Sequence, residues 1–345
     1  MNLSTSSFNG PKTALMVLAL LLVVEAGMRR FEPYLSADVE HIESIPQVVS
    51  QFGQSGDDLL FLGSSITRHG VDVAALEPVL VAKGVAPGAF SFSFIYPDAS
   101  DVLDWTYVYH HYLSPPAPQP DVIVINFAGD RLQDVEPNSQ QVRRIARHHT
   151  SLGDVPQAFT QDFTTLSQRV DFLLSKIFVS FAHRERVRTR LMATLPLYRQ
   201  TQRSLNETQL AQARAAPAAN PDPLTPQVNT VLNTARERYT RLKRFLAEID
   251  TRSVRVVFVA TPVRDPYRID PALRTLLADE GAELLDTRSV PGLSPAVFDD
   301  ALHLSPAGAK IYSRALAEKL APVLKTELRG DLQSSRQLYH GLSGF

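Results

Sequence analysis

Short apolar runs alternate with amphipathic stretches along this chain, which predicts alternating strands and helices. Five runs have the length and the branched or aromatic content of buried strands: 59–62, 89–95, 121–126, 254–260 and 282–285. Four stretches carry apolar positions at helical spacing: 71–83, 103–113, 231–249 and 306–324. Strands that alternate with helices favour a parallel sheet covered on both faces. The pattern therefore predicts an α/β fold, a three-layer sandwich built on a parallel sheet.

A long helical insertion separates the third and fourth predicted strands, at about 135–250. One amphipathic stretch within it, 166–191, places five apolar side chains on one helical face: Leu166, Val170, Leu173, Ile177 and Phe181. The segment 209–226 is rich in Ala, Pro, Gln and Asn, and we expect a mobile loop there. The Ser- and Gly-rich residues 331–345 are expected to form a flexible tail. The main domain is thus predicted to cover 31–330.

The most apolar part of the chain lies near its N-terminus. Thr13–Val24 contains no charged residue, Lys12 precedes it, and two arginines follow a few residues later. A helix over Thr13–Met28 is ~24 Å long, shorter than the ~30 Å hydrocarbon core, and snorkelling of the flanking charged side chains closes the gap. We expect residues 1–30 to form an uncleaved membrane anchor. A signal peptide cleaved after Ala26 and a buried core helix are the alternatives.

Composition narrows the range of functions. The chain has 345 residues, 44% of them hydrophobic, and a formal net charge of −1. This balance excludes a generally basic nucleic-acid-binding protein, and we expect no nucleic-acid partner. Cysteine is absent, which excludes disulfide scaffolds, thiolate zinc sites, iron–sulfur clusters and cysteine nucleophiles.

The first candidate for chemistry follows the first predicted strand directly, at Gly63-Ser64-Ser65-Ile66. A serine at a strand-to-helix turn exposes its hydroxyl, and its backbone N–H is free to bind an anion. Such a serine is well placed to be an acyl-transfer nucleophile. The alternative is a tight turn with a helix N-cap and no chemical role.

The second candidate lies more than 230 residues later, just before the last predicted helix. Asp300 stands three residues before His303 and can hydrogen-bond the imidazole Nδ1–H, which leaves the other ring nitrogen to accept a proton from a serine. The alternative is a solvated loop carboxylate and a histidine that caps the helix. Neither alternative is excluded by the sequence alone.

Together, and in this order, the two segments resemble the SGNH (GDSL) hydrolase superfamily, which carries Gly-Asp-Ser-Leu early and Asp-x-x-His late. The resemblance implies that Ser65 is the nucleophile and that Asp300 and His303 complete a catalytic triad. The sequence around Ser65, F-L-G-S-S-I-T-R-H-G-V-D, is similar to a membrane-anchored branch of surface-polymer D-alanylation and alginate O-acetylation proteins.

The chain departs from this family where the oxyanion-binding residues are expected. The family has a glycine in its second block, but residues 94–98 contain none, and Gly129 stands where the third block has an asparagine. The remaining candidates for oxyanion binding are Ser65, Gly129 and Asn126. Arg68, three positions after the nucleophile, is a candidate for binding an anionic substrate or for pairing with an acidic residue.

The resemblance implies a membrane-anchored serine esterase or O-acyltransferase on the exported side of the membrane. Its implied substrates are O-acyl groups of surface carbohydrate or polymer, and its chemistry requires no metal and no organic cofactor. The alternative is a catalytically weak or inactive partner subunit of a membrane-bound O-acyltransferase. In both cases the N-terminal helix is expected to contact the lipid bilayer.

Overall fold

The structure, a computed structural model, describes residues 10–325 except 55, 199, 202–203, 205–237, 250 and 252. The predicted mobile loop at 209–226, the first residues of the predicted helix 231–249 and the predicted tail at 331–345 lie outside the described residues.

A five-stranded parallel sheet forms the centre of the fold. Its strands are β1 (Asp57–Leu62), β2 (Phe90–Ile95), β3 (Val122–Phe127), β4 (Arg255–Ala260) and β5 (Glu283–Asp286). They are ordered β2-β1-β3-β4-β5, and every neighbouring pair is parallel. The predicted α/β class with a parallel sheet is confirmed, and each predicted strand overlaps an observed one. The strand order reverses between β1 and β3, and in open parallel sheets the carboxyl ends of the strands at such a point are where ligands usually bind.

Helices connect and cover the strands. In chain order they are α1 (Gly10–Phe31), α2 (Ala37–Val49), α3 (Ser65–Gly70), α4 (Val73–Ala82), α5 (Val102–Val108), α6 (Ser139–His148), α7 (Val155–Gln161), α8 (Leu166–Ile177), α9 (Val179–Ala182), α10 (Arg184–Ala193), α11 (Thr240–Glu248), α12 (Pro271–Asp279) and α13 (Pro306–Lys325). A π turn, Tyr109–Leu113, extends α5. The amphipathic stretch 166–191 is three helices, because the backbone is extended at Phe178 and leaves the helical conformation again at His183.

The last helix, α13, covers the sheet beside β1. Leu316, Leu320 and Leu324 recur at intervals of four, and their buried side chains pack with those of β1, β3, β4 and α4 in one hydrophobic cluster. Burying a leucine side chain contributes ~1.5–3 kcal/mol. The Ser313 hydroxyl adds a polar contact, since it donates to the carbonyl of Gly70 at 3.1 Å. These contacts fix the start of α13 relative to the segment that follows β1.

The described chain divides into two compact units. One comprises residues 10–43 with 138–204, and the other comprises residues 44–137 with 238–325. The whole sheet belongs to the second unit, and most of the predicted insertion belongs to the first. The predicted limits of the main domain, 31–330, and of its insertion stay predictions.

The N-terminal helix is an apolar element of the first unit. Within the span Pro11–Leu35, the most apolar 18-residue stretch has a mean hydropathy of 1.7 and is not buried inside the fold. The side chains of Leu15, Leu18 and Val23 are more than half exposed. The helix is thus long and apolar enough to cross a membrane or to act as a signal sequence.

Candidate active site

The turn from β1 into α3 presents Ser65. Ser64 caps the helix, because its Oγ accepts a hydrogen bond from the Ile66 N–H at 3.4 Å, and Ser65 is the first helical residue. The N–H of a first helical residue has no acceptor within its helix. Gly63 is required by close packing, since a Cβ at this position would lie 1.9 Å from the Thr67 Oγ1. Two consecutive serines thus have different roles: Ser64 caps the helix, and the half-buried Ser65 is its first residue.

Two buried side chains fix the carbonyl of Gly63. The Ser100 Oγ donates to this carbonyl at 2.6 Å, and the Trp105 Nε1–H lies 3.0 Å from both the carbonyl and the Ser100 Oγ. Both side chains are fully buried. Sequence analysis missed this role, because Trp105 has only the pattern of a core residue in an apolar helix. The two residues position the backbone that immediately precedes the serine pair.

The loop before α13 is a tight, internally bonded turn. The Asp299 N–H donates to the carbonyl of His303 at 2.9 Å, and the Ser305 N–H donates to the carbonyl of Val297 at 2.9 Å. The Asp300 Oδ1 accepts hydrogen bonds from the N–H groups of Leu302 and His303 at 2.7 and 2.8 Å. An aspartate that bonds the backbone two and three positions later is typical of such turns. These bonds fix the backbone that carries His303.

Ser65, His303 and Asp300 form a continuous hydrogen-bonded chain. The Ser65 Oγ lies 2.8 Å from the His303 Nε2, and the His303 Nδ1 lies 2.7 Å from the Asp300 Oδ2. Burial raises the pKa of the Asp300 carboxyl, but the hydrogen bonds from His303 and the backbone outweigh this and hold the pKa below its usual value. Asp300 is therefore ionised at neutral pH and holds the proton of the imidazole on Nδ1. The Nε2 is left to accept the proton of the Ser65 hydroxyl.

Other polar side chains surround this chain. The His69 ring lies 4.9 Å from the His303 ring, centroid to centroid. Burial, together with the nearby His303, lowers the pKa of His69, so a second positive charge beside the imidazole is disfavoured. Arg68 pairs with Asp98 at 3.2 Å, and its guanidinium lies 6.0 Å from the centre of the Tyr96 ring. Of the two roles considered for Arg68, the structure shows the pairing with an acidic residue.

The candidates for oxyanion binding have different surroundings. Asn126 is buried, and its Nδ2 donates to the Tyr312 hydroxyl at 3.3 Å inside the fold. Gly129 follows β3, has a left-handed backbone with φ of +61°, and has no atom within 4 Å of the place where a Cβ would lie. Ser65 contributes the N–H at the start of α3. The Asn126 amide is therefore engaged elsewhere, whereas the backbone groups of Ser65 and Gly129 lie in the loops at the carboxyl ends of β1 and β3.

A polar cluster in the other unit has the composition of a metal site. Ligand atoms of Glu32, His148 and His183 lie within 4.8 Å of one another. However, Arg147 donates to both oxygens of Glu32, at 2.7 and 2.5 Å. Arg186 lies 3.4 Å from the His183 Nδ1, so this nitrogen is the acceptor and the Nε2 carries the proton directed at Glu32, 2.8 Å away. The Arg147 guanidinium and the N–H of His183 both point at Glu32 and oppose binding of a cation there. These residues therefore favour a hydrogen-bonded cluster over a metal site.

Comparisons with known proteins give little beyond this geometry. No family model matches the chain, and no curated protein matches it. Among solved structures, the chain is similar to LAE5, an alpha/beta hydrolase enzyme from the metagenome of Lake Arreo, Spain. The identity is 12% and the TM-score 0.34, over 79% of this chain and 98% of that chain. A similarity at this level does not show a family, so membership of the SGNH superfamily stays a prediction.

Proposed function

We propose that this protein is a membrane-anchored serine esterase or O-acyltransferase. The observation that carries the proposal is the hydrogen-bonded chain from the Ser65 Oγ through His303 to Asp300, with both links under 3 Å. These residues stand at the positions that the resemblance to SGNH hydrolases assigns to a triad. A hydroxyl, a neutral imidazole and a carboxylate in this order are the groups needed for nucleophilic acyl transfer.

The reaction proceeds in two half-reactions. The Ser65 Oγ attacks the carbonyl carbon of an ester while the His303 Nε2 takes the hydroxyl proton. The tetrahedral intermediate then collapses, the bond to the alcohol breaks, and His303 returns the proton to the departing alcohol. The acyl group remains on Ser65 until a second hydroxyl attacks. Water as the acceptor gives hydrolysis, and a sugar or polyol hydroxyl gives acyl transfer.

Asp300 acts through the imidazole. It fixes the tautomer with the proton on Nδ1, and it stabilises the imidazolium that forms when Ser65 attacks. The backbone N–H groups of Ser65 and Gly129 are the proposed donors to the developing oxyanion. Removing one such donor typically lowers the rate ~100–1,000-fold, and because the Asn126 amide, the side-chain candidate considered above, donates to Tyr312 instead, we expect a slow enzyme.

The proposed substrates are O-acyl groups of surface carbohydrate or polymer, and the proposed location is the exported side of a membrane. Support for the substrate class comes from the sequence around Ser65 and its resemblance to surface-polymer acylation proteins. Support for the location comes from the apolar span Pro11–Leu35, which is long enough to anchor the chain. No step of the proposed chemistry uses a metal or an organic cofactor.

The decisive experiment compares the wild type with Ser65→Ala, and uses Ser64→Ala as a matched control. We expect the wild type to hydrolyse p-nitrophenyl acetate and to form a fluorophosphonate adduct on Ser65, located by mass spectrometry. Ser65→Ala should lose both, whereas Ser64→Ala loses only a helix cap, worth ~0.5–2 kcal/mol, and should keep the adduct. Equal hydrolysis by the wild type and Ser65→Ala, with no adduct, would remove the esterase proposal.

A second function is favoured by the oxyanion region. Because the Asn126 amide is directed at Tyr312 and Gly129 replaces an asparagine of the resembling family, a catalytically weak partner subunit of a membrane-bound O-acyltransferase is the alternative. Complementation distinguishes the two in a cell that lacks the native chain. Ser65→Ala would restore acylation of the surface polymer if the protein acts as a partner subunit, and would fail to restore it if the protein acts as the enzyme.

A further inference from the structure

The insertion carries an apolar stripe that the described fold leaves uncovered. Leu166, Val170, Leu173 and Ile177 follow one another at intervals of four, three and four, and therefore share one face of α8. Their exposed fractions are 78%, 45%, 42% and 53%. The opposite face buries Phe172. The sequence pattern that predicts an amphipathic helix is thus present, but its most regular apolar face points away from the core of the described residues.

The C-terminal end of this stripe lies beside α1. The Arg29 side chain donates to the carbonyl of Ile177 at 2.6 Å. One turn earlier in α1, the Glu25 carboxylate accepts hydrogen bonds from the N–H groups of Val179 and Ser180 at 2.7 and 3.1 Å. Glu25 thereby caps the start of α9, which explains why α8 and α9 are separate helices. The C-terminal end of the α8 stripe therefore lies at the same height along the α1 axis as Arg29.

The length of the apolar part of α1 determines how deep Arg29 lies relative to the bilayer. Between Lys12 and Arg29 lie the 16 residues Thr13–Met28, which span ~24 Å as a helix, whereas a bilayer core is ~30 Å thick. The membrane boundary at this end must then lie at or beyond the level of Arg29. Glu25 can lie below it, because Arg29 pairs with its carboxylate at 3.2 Å and backbone N–H groups occupy its oxygens. The end of the stripe consequently falls at the membrane surface.

We propose that the α8 stripe is inserted in the boundary between lipid headgroups and acyl chains, beside the point where α1 leaves the bilayer. The inference rests on the membrane anchorage proposed above and adds a second contact of the protein with lipid. An exposed aliphatic face with polar flanks is the character of a helix that lies in this boundary. The aromatic side chains at the base of α1 and after α8 are also exposed: Phe31, Tyr34 and Phe178. Aromatic rings are enriched at this depth.

The absence of cysteine from the chain makes single-cysteine probes a clean test. We would label the full chain with an environment-sensitive fluorophore at Leu18→Cys, Leu173→Cys or Ser167→Cys and reconstitute it in phosphatidylcholine/phosphatidylglycerol vesicles that contain doxyl-labelled lipids. Leu18 reports the α1 span, and Leu173 reports the stripe. Ser167 is the matched control, because it is exposed on α8 about a quarter turn away from the stripe.

The expected result is a blue-shifted probe at Leu173 that lipid-borne doxyl groups quench at least twofold more than the probe at Ser167. Equal, water-like signals at Leu173 and Ser167 with a quenched Leu18 would overturn the stripe proposal and leave the anchorage intact. A probe at Leu173 that is blue-shifted but unquenched would also overturn it, since protein, a second copy or another chain, would then cover the stripe. An unquenched Leu18 would refute the anchorage itself, and the stripe proposal with it.

A charge placed in the stripe gives an independent check. Val170→Glu should reduce the quenching of the Leu173 probe at least twofold, because an ionised carboxylate resists transfer into the acyl region. Ser167→Glu should leave the quenching unchanged. Val170 is nearly half exposed in the fold, so neither substitution removes a core contact. Equal quenching of the Leu173 probe in both variants would count against lipid insertion.

Discussion

Ala99 is the one non-glycine residue in the described part of the chain with a left-handed backbone, at φ of +54°. It lies between Asp98, which pairs with Arg68, and Ser100, which fixes the carbonyl of Gly63. A left-handed conformation costs an L-residue ~1–2 kcal/mol, so the strain is located where the chain must turn to deliver these two side chains. A glycine at this position would relieve it.

Two opposite substitutions test this interpretation. Ala99→Gly should raise the free energy of unfolding by up to about 1 kcal/mol, since relief of the strain exceeds the ~0.5–1 kcal/mol that a glycine costs through the unfolded chain. Gly129→Ala, at φ of +61° with open space around the added methyl, should lower it by a similar amount. Denaturant unfolding in detergent measures both. The same sign for both variants would contradict the argument.

The hydrogen bonds to the carbonyl of Gly63 predict an effect on activity. Trp105→Phe keeps an aromatic ring but removes the pyrrole ring with its N–H donor. It should cost more than the ~1–2 kcal/mol of the lost hydrogen bonds, because a small cavity is also left, and it should lower kcat, because the turn before Ser65 is held less firmly. Tyr109→Phe is the control on the same helical segment: Tyr109 lies in the continuation of α5, and its hydroxyl donates to Gln119 at 2.8 Å. This variant should also lose stability but leave kcat unchanged. A similar drop in kcat for both variants would show that general loosening of α5 is responsible.

At this scale the sequence indicates the candidate triad better than the groups that support it. Ser65 and His303 stand next to a strand end and a helix start; each position alone has a structural explanation, and only the order of the two motifs points to a site. Ser100 and Trp105 meet Gly63 only through the path of the loop after β2, which no periodicity encodes. The place of Asn126 at a strand end makes it a candidate for oxyanion binding, but the direction of its side chain depends on Tyr312, 186 positions later in the chain.

At the scale of elements, β5 is the shortest of the five strands, and its last residue, Asp286, forms ion pairs with two arginines. Arg288 donates to both oxygens of Asp286 at 2.9 and 2.8 Å, and Arg274 of α12 lies 3.2 Å away. The hydrogen bonds from Arg288 lower the pKa of Asp286 to about 2. The stability that this pairing contributes is therefore present above pH ~4, the pKa of an unfolded aspartate, and is lost as the pH falls from about 4 to about 2.

Asp286→Asn should accordingly remove part of the acid sensitivity of the fold. A shift of this size corresponds to at most ~2.5 kcal/mol, and because a third of the Asp286 side chain is exposed, screening reduces the expected loss to about 1 kcal/mol at pH 7. At pH 2 the variant and the wild type should be equally stable. Asp279→Asn, an exposed carboxylate at the end of α12, should keep the wild-type pH dependence. Unfolding free energies at pH 2, 4 and 7 measure this, and an unchanged slope for Asp286→Asn would contradict it.

Helix boundaries in the insertion show what periodicity does not contain. The stretch 166–191 keeps its apolar spacing through Phe181, but the helix is interrupted at Phe178. The interruption is possible because Glu25, more than 150 positions earlier, accepts hydrogen bonds from the first N–H groups of α9. By contrast, the strands were predictable from composition alone, since parallel strands are buried on both faces and read as continuous apolar runs. The local sequence pattern is sufficient to predict the strands, which are buried on both faces. The ends of the helices in the insertion depend on polar contacts with residues far away in the sequence.

At the scale of the whole molecule, α1 is an integral part of the first unit. Its Glu25 caps α9, and Glu32, directly after it, is buried and paired with Arg147. Cleavage after Ala26 would remove the cap and leave the N–H groups of Val179 and Ser180 without their acceptor. We therefore expect the mature protein to retain α1. The measurement is the intact mass of the expressed protein after its purification from the membrane fraction. A mass that corresponds to a chain beginning at Gly27 would show that the segment is a signal peptide.

Ser65 and His303 are separated by 238 positions, and α13 is the last described element to be synthesised. On the proposed mechanism, a nascent chain that has delivered β1 and Ser65 from the ribosome still lacks His303, the proposed base. The proposed reactivity of Ser65 therefore requires that the segment carrying His303 and α13 has been synthesised and packed beside β1. Release of a truncated translation product would therefore yield an inert polypeptide, and covalent labelling of the serine reports the arrival of the final helix.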